Sequence, residues 1–239
     1  MNQSGSILEI NGIQVYYELH GYGEPLLLLH GGGGSAEHFE HMLPELAQHF
    51  QVITPDSRAQ GRSTDTDQPL SYRQMVEDMI GLLDALDIDS AYVGGWSDGA
   101  AIAMQIAMHY PERVRALLLT PVDLSAEALT DEFWKESEQW KLPEKLVTWW
   151  QTRVSPTEDD LRAIRVPTLI VAGENEQFIK REYFVRWQEL IPNAETVWIA
   201  DTDHFLVINQ PNQVNQAIIS FLRKCQSKHN SEHRPVNKH

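Results

Sequence analysis

Short apolar runs alternate with longer stretches in which apolar residues recur every three or four positions, and this rhythm predicts strands alternating with helices. Residues 7 to 19 hold two β-prone runs around Asn11-Gly12, a dipeptide that accepts the positive φ angles of a tight hairpin turn. Continuous apolar runs follow at 25 to 30 (PLLLLH), 51 to 54 (QVIT), 91 to 95 (AYVGG), 115 to 120 (RALLLT), 168 to 173 (TLIVAG) and 196 to 200 (TVWIA). Runs of this kind, without polar alternation, read as strands buried on both faces of a parallel sheet. Between them, Met75, Met79, Leu82, Leu83 and Leu86 share one helical face behind a capping-box start at Ser71 to Gln74. Val214, Ile218, Phe221 and Leu222 repeat the pattern behind Pro211, which a first helical turn tolerates because its missing N–H would have no partner there. The expected fold class is α/β: a mostly parallel central sheet with an N-terminal hairpin and helices on both faces.

The rhythm lapses between 124 and 165, where acidic and aromatic residues mix. Four of the seven tryptophans, Trp134, Trp140, Trp149 and Trp150, stand there. A linker has no need of large apolar rings, so the segment reads as a small helical cap over a pocket, with pinning of the insertion to the sheet as the other use of the same rings. The expected organisation is a core of residues 1–123 and 166–225, a cap at 124–165, and a polar tail at 226–239 without apolar periodicity. At 239 residues one core suffices.

Composition narrows the partners. The formal charge of −15 opposes approach to nucleic acid and to anionic membrane surfaces. The longest aliphatic run, Leu26 to Leu29, is too short to span a bilayer, and the N-terminus lacks a basic start and an apolar signal segment, so a cytoplasmic location is expected. The single cysteine, Cys225, excludes an intrachain disulfide and a cysteine-based zinc site, and no metal or other cofactor is expected.

The chemistry centres on Gly95-Trp96-Ser97-Asp98-Gly99, which follows an apolar strand and leads into the small-residue run Ala100, Ala101, Ala103. This matches a nucleophile elbow, in which serine occupies a strained strand-to-helix turn and only small residues two positions away avoid collision. From about residue 6 to residue 223 the chain resembles the α/β-hydrolase superfamily, and its elbow is similar to that of valacyclovirase-like (biphenyl-hydrolase-like) esterases. The resemblance implies an α/β-hydrolase fold and an order of serine, acid, histidine. It puts the acid three residues after the glycine that ends TLIVAG, at Glu176, with Glu174 and Asp123 as competing positions. It puts the base after the last strand, at His204, with Asp201 and Asp203 as loop charges. The run His30-Gly31-Gly32-Gly33-Gly34-Ser35 looks like the family's oxyanion loop. One N–H would come from Gly32, or from Gly33 if the loop is read one position on, and the other from Asp98. His30 is expected to brace the loop. Asp56 to Ser63 resembles a structural turn of the family, with Ala59 where a glycine usually stands.

Gly31 to Ala36 also fits a GxGxxA dinucleotide pattern, with Asp56 twenty residues on. That reading is set aside because a hairpin precedes the strand and because it leaves the elbow and the late histidine unexplained. The expected activity is hydrolysis of small carboxylic esters through an acyl-enzyme at Ser97, with a small-molecule ester and water as partners. Trp96, Asp98, Trp149 and Trp150 are candidate substrate contacts. An Asp98 carboxylate facing the substrate would favour amino-acid esters; the other course open to it is to turn away and bond the protein. A cofactorless C–C hydrolase, a haloperoxidase-like enzyme and a non-catalytic ligand-binding homologue remain open, as do monomer and homodimer.

Overall fold

The structure, a computed structural model, describes residues 5–122 and 126–232. The hairpin forms where Asn11-Gly12 predicts it: β1 (Ser6–Ile10) pairs antiparallel with β2 (Ile13–His20), and the two turn residues take φ of 49° and 76°. Each apolar run becomes a strand: β3 (Glu24–Leu29), β4 (Phe50–Pro55), β5 (Ala91–Trp96), β6 (Val114–Thr120), β7 (Thr168–Gly173) and β8 (Ala194–Ile199). They form one eight-stranded sheet in the order β1-β2-β4-β3-β5-β6-β7-β8, in which β2 joins β4 antiparallel and the remaining neighbours from β4 to β8 are parallel. This is the α/β-hydrolase fold.

The helices are α1 (Leu43–Leu46), α2 (Tyr72–Ala85), α3 (Asp98–His109), α4 (Asp131–Ser137), α5 (Glu144–Thr152), α6 (Glu158–Ala163), α7 (Arg181–Leu190), α8 (Leu206–Asn209) and α9 (Pro211–Glu232). Period-two alternation sorts the strand side chains between the two faces. Leu27 and Leu29 join the apolar cluster under α2, α3 and α7, while Leu26 and Leu28 join the one under α1, α8 and α9. All four are buried, each contributing roughly 2 kcal/mol by leaving water. From β3 the chain crosses to β4 on one side and returns to β5 on the other, so a crevice opens beyond the ends of β3 and β5. The glycine run leaves β3 and Ser97 leaves β5 at that crevice.

Two details are added to the expected organisation. The polar tail is helical as far as Glu232, because α9 runs on past its apolar stripe through residues that neither break nor cap it. Within 124–165, α4 and α5 lie over the crevice, whereas α6 packs against α3 and α7 as part of the core's flank. Among the described residues, no helix is long and apolar enough to cross a membrane, and no group of three or more His, Cys, Asp or Glu is arranged to hold a metal ion.

Candidate active site

Ser97 caps the end of β5 with φ 55° and ψ −121°, a left-handed conformation that costs a non-glycine residue about 1–3 kcal/mol and persists only where its surroundings hold it. Here the holding is explicit. Ser97 N–H donates to the carbonyls of Thr120 (2.8 Å) and Pro121 (2.9 Å) at the end of β6. A Cβ on Gly95 would come within 2.3 Å of the Gly99 backbone, and one on Gly99 within 2.0 Å of the Leu29 carbonyl oxygen. The two glycines let β3, β5 and α3 close around the turn, so the serine hydroxyl stands proud of it.

His204 sits in the loop after β8, where the Trp96 indole N–H donates to its carbonyl oxygen at 2.8 Å. Its Nε2 lies 3.1 Å from Ser97 Oγ, and its Nδ1 lies 3.1 Å from both carboxylate oxygens of Glu176. The Glu176 carboxylate, buried like the imidazole, also accepts the N–H groups of Phe178 (2.8 Å) and Ile179 (3.2 Å). Because an ionised carboxylate only accepts, Nδ1 carries the hydrogen and the Nε2 lone pair is left for the serine. Glu174 is exposed, and its N–H is used by the Ile199 carbonyl. Asp201 is exposed, and Asp203 accepts from Phe205 N–H and Asn209, so neither carboxylate partners the ring. Asp123, the other candidate acid, lies outside the described residues.

In the glycine loop, Gly33 N–H donates to Gln60 Oε1 (2.7 Å) and Gly34 N–H to the Gly31 carbonyl (3.2 Å). Among the described residues, the N–H groups of Gly32 and Asp98 donate to no protein acceptor, which favours Gly32 over Gly33 as the loop's available donor. His30 braces the loop: Nδ1 meets the Gly31 carbonyl at 2.7 Å and Nε2 accepts the Ser57 N–H at 2.8 Å. Burial lowers its pKa and keeps the ring neutral, as that pairing of one donor and one acceptor requires. Asp56 is buried and bonded to Ala36 N–H and to the Arg62 guanidinium and N–H, leaving no carboxylate for a ribose, which removes the dinucleotide reading. Ala59 keeps the left-handed backbone, φ 64°, despite its Cβ.

The structure places Trp96 and Trp150 in the wall of a pocket over Ser97, and Trp149 and the Asp98 carboxylate outside it. A pocket of about 320 Å³ over Ser97 and His204 is walled by Gly31 to Gly33, His38, Trp96, Phe133, Trp140, Leu142, Trp150 and Phe205. Trp149 is not among them. One residue along α5 is a rotation of about 100°, so its ring faces Tyr72 (centroids 5.1 Å apart) and a different groove. The Asp98 carboxylate bonds the protein instead of facing the pocket. The side chain is buried, accepting Trp150 Nε1–H at 2.6 Å and Arg153 Nη1–H at 3.0 Å, and the guanidinium supplies its counter-charge. Arg153 and His38 were not anticipated. Arg153 shows no pattern in sequence, and His38 is one of ten histidines, distinguished only by where the turn after the glycine run places it. His38 has its pKa lowered to about 4, chiefly by burial, so it is a neutral wall.

Residues 24–143 match the family model described as alpha/beta hydrolase fold. A provisionally named carbamate hydrolase of Azorhizobium caulinodans is 41% identical over 105 residues, 44% of this chain and 40% of that protein, so the match spans about two fifths of the relative's length. A 2-hydroxymuconate semialdehyde hydrolase of a Pseudomonas species is 29% identical over 233 residues, covering 90% of this chain and 81% of that one. The crystal structure of a carboxylesterase from Bacillus subtilis superposes with a TM-score of 0.81 at 19% identity, over 93% of this chain and 92% of that one, a likeness of fold. With half the chain matched, a strained serine at the elbow and an imidazole and carboxylate lined up behind it, this protein belongs to the alpha/beta hydrolase family.

Proposed function

We propose that the protein hydrolyses small, electrically neutral carboxylic esters through an acyl-enzyme on Ser97. The observation that carries this reading is the unbroken chain Glu176–His204–Ser97, which opens into an aromatic pocket with no lysine or arginine among the described residues of its wall. Ser97 Oγ attacks the acyl carbon while His204 Nε2 takes its proton. The oxyanion that forms meets the N–H groups of Gly32 and Asp98, each such donor being worth about 3 kcal/mol in the transition state. His204 returns the proton to the departing alcohol, then takes one from the water that attacks the acyl carbon, and Ser97 is released with the acid as product.

The pocket wall also favours esters over the C–C substrates of some relatives. A muconate derivative carries a carboxylate, and burying an anion in an apolar pocket without a cation costs several kcal/mol. Amino-acid esters gain nothing from Asp98, whose charge is already matched by Arg153. The test is turnover of p-nitrophenyl acetate and butyrate beside a 2-hydroxy-6-oxo-dienoate, with wild type and Ser97→Ala. Ester turnover that falls by about five orders of magnitude in the variant, on an intact fold, agrees with the reading. Dienoate cleavage exceeding ester cleavage would overturn it in favour of C–C hydrolysis.

A further inference from the structure

The residue after the nucleophile is bonded to the cap. Asp98 starts α3, directly after Ser97, yet its carboxylate points into a buried seam between the glycine loop and α5. A Cβ on Gly32 would lie 2.2 Å from Asp98 Oδ2 and 2.6 Å from Trp150 Cζ2, so carboxylate, indole and oxyanion loop are in mutual contact. The same indole forms part of the pocket wall above Ser97, whereas Arg153 does not touch the pocket. We infer that Asp98 is a positioning residue: by binding Trp150 and Arg153 it holds the inner face of α5 down on Gly32, fixes the depth of the acyl pocket, and restricts the enzyme to short acyl chains.

The chemistry of the seam favours a tie of this kind. A carboxylate in the first turn of a helix is stabilised by the helix's positive end, and a guanidinium beside it allows it to remain ionised away from water. An ionised acceptor makes the stronger hydrogen bond to the indole, and an indole N–H has no other way to be satisfied in that seam. If Asp98 loses its charge, the indole keeps only a weaker, neutral acceptor; if Arg153 is lost, the buried carboxylate loses the partner that fixes its orientation. In either case the ring is held less firmly and swings outward, deepening the pocket and loosening its fit to a two-carbon acyl group. Selectivity then changes through a residue, Arg153, that no substrate touches.

The inference about acyl length rests on the ester reading above, so the experiment has one arm that does not need catalysis. The Trp150 indole N–H is followed by ¹H–¹⁵N NMR, assigned by its loss in Trp150→Phe, in wild type, Asp98→Asn, Arg153→Met and Arg153→Lys. In parallel, the ratio of kcat/KM for p-nitrophenyl hexanoate to that for the acetate is measured. Wild type is expected to show a downfield, slowly exchanging indole proton, with upfield shift and faster exchange in Asp98→Asn and Arg153→Met. The hexanoate-to-acetate ratio should rise about tenfold in both, and Arg153→Lys, which keeps the charge, should recover most of the wild-type ratio. If Arg153→Met does not fold, Asp98→Asn and Arg153→Lys carry the comparison, since neither leaves an unpaired carboxylate. An indole signal identical in wild type and Asp98→Asn would overturn the tie. A shifted signal with an unchanged ratio in an enzyme that turns over esters would leave the seam purely structural and overturn the positioning role. Absence of ester turnover in wild type would sink the ester reading instead, and the tie would then stand or fall on the indole signal.

Discussion

The rim of the sheet and the cap above it solve the same problem, placing side chains around one serine, by different means. On the rim, the turn that carries a functional group does much of the placing, helped by neighbouring strand ends such as the β6 carbonyls at Ser97 and the Trp96 indole at His204. Ser97 is fixed by a left-handed turn between two obligatory glycines, and Glu176 by the N–H groups of Phe178 and Ile179 just beyond it. In the cap, position comes from contacts with distant parts of the chain. Trp150 is held by Asp98, fifty-two positions away, and Trp149 by Tyr72 on α2. Geometry of the first kind survives as a local pattern of residue types, whereas geometry of the second kind exists only after folding.

If that contrast is right, damage at the rim should appear in rate and damage in the cap in stability or selectivity. Glu176→Ala should lower kcat/KM for p-nitrophenyl acetate by about 10⁴-fold, as loss of the group that sets the imidazole's tautomer does in this type of triad, while exposed Glu174→Ala should stay within about twofold. A large loss in Glu174→Ala with a small one in Glu176→Ala would reverse the assignment.

The two adjacent tryptophans sharpen the comparison within the cap. Trp149→Ala removes a buried ring that does not line the pocket and should cost about 3–5 kcal/mol in chemical denaturation, with acyl-chain preference kept. Trp150→Ala should change that preference as well as stability. Equal shifts in preference from both variants would mean that the cap acts as one body without distinct roles for its two rings.

The pH dependence of stability offers a smaller test. His38 stays neutral in the fold down to about pH 4, but the unfolded chain protonates it near the ordinary value of 6.5. The unfolded state therefore binds the extra proton first. Stability is full above pH 6.5 and falls as pH drops towards 4, with His30 acting in the same direction. Denaturant midpoints should decline across that window, and His38→Gln should flatten the decline without abolishing it. The smallest effect belongs to the rim's turn at Ala59, where φ 64° strains any residue with a Cβ. Ala59→Gly should raise stability by up to about 1 kcal/mol in the same measurement, relief of strain exceeding the greater freedom of glycine in the unfolded chain; a loss would show that the Cβ packs better than it strains.

These contrasts also explain what could be read before folding was known. The strands were legible because burial on both faces leaves continuous apolar runs, and the elbow because its steric demands fix three residue types within five positions. Glu176 and His204 were singled out by the family resemblance, which implies an acid and a base at set places after the strands that became β7 and β8. The destination of the Asp98 carboxylate was not legible, since the sequence leaves it free to face the substrate or to bond the protein, and its partners Trp150 and Arg153 lie more than fifty positions away. For the same reason Trp149 and Trp150 could not be told apart until the register of α5 was set. The helical continuation of α9 to Glu232 was missed because helices need no apolar stripe where they leave the core.

The most direct test of the central claim is to catch the acyl group. Wild-type protein mixed with p-nitrophenyl butyrate, quenched in acid during turnover and digested, is expected to yield the peptide containing Ser97 carrying one butyryl group, absent from Ser97→Ala and accumulating in His204→Ala only at a strongly reduced rate. Steady ester turnover with no acyl group on Ser97, or with the label on another residue, would contradict the account.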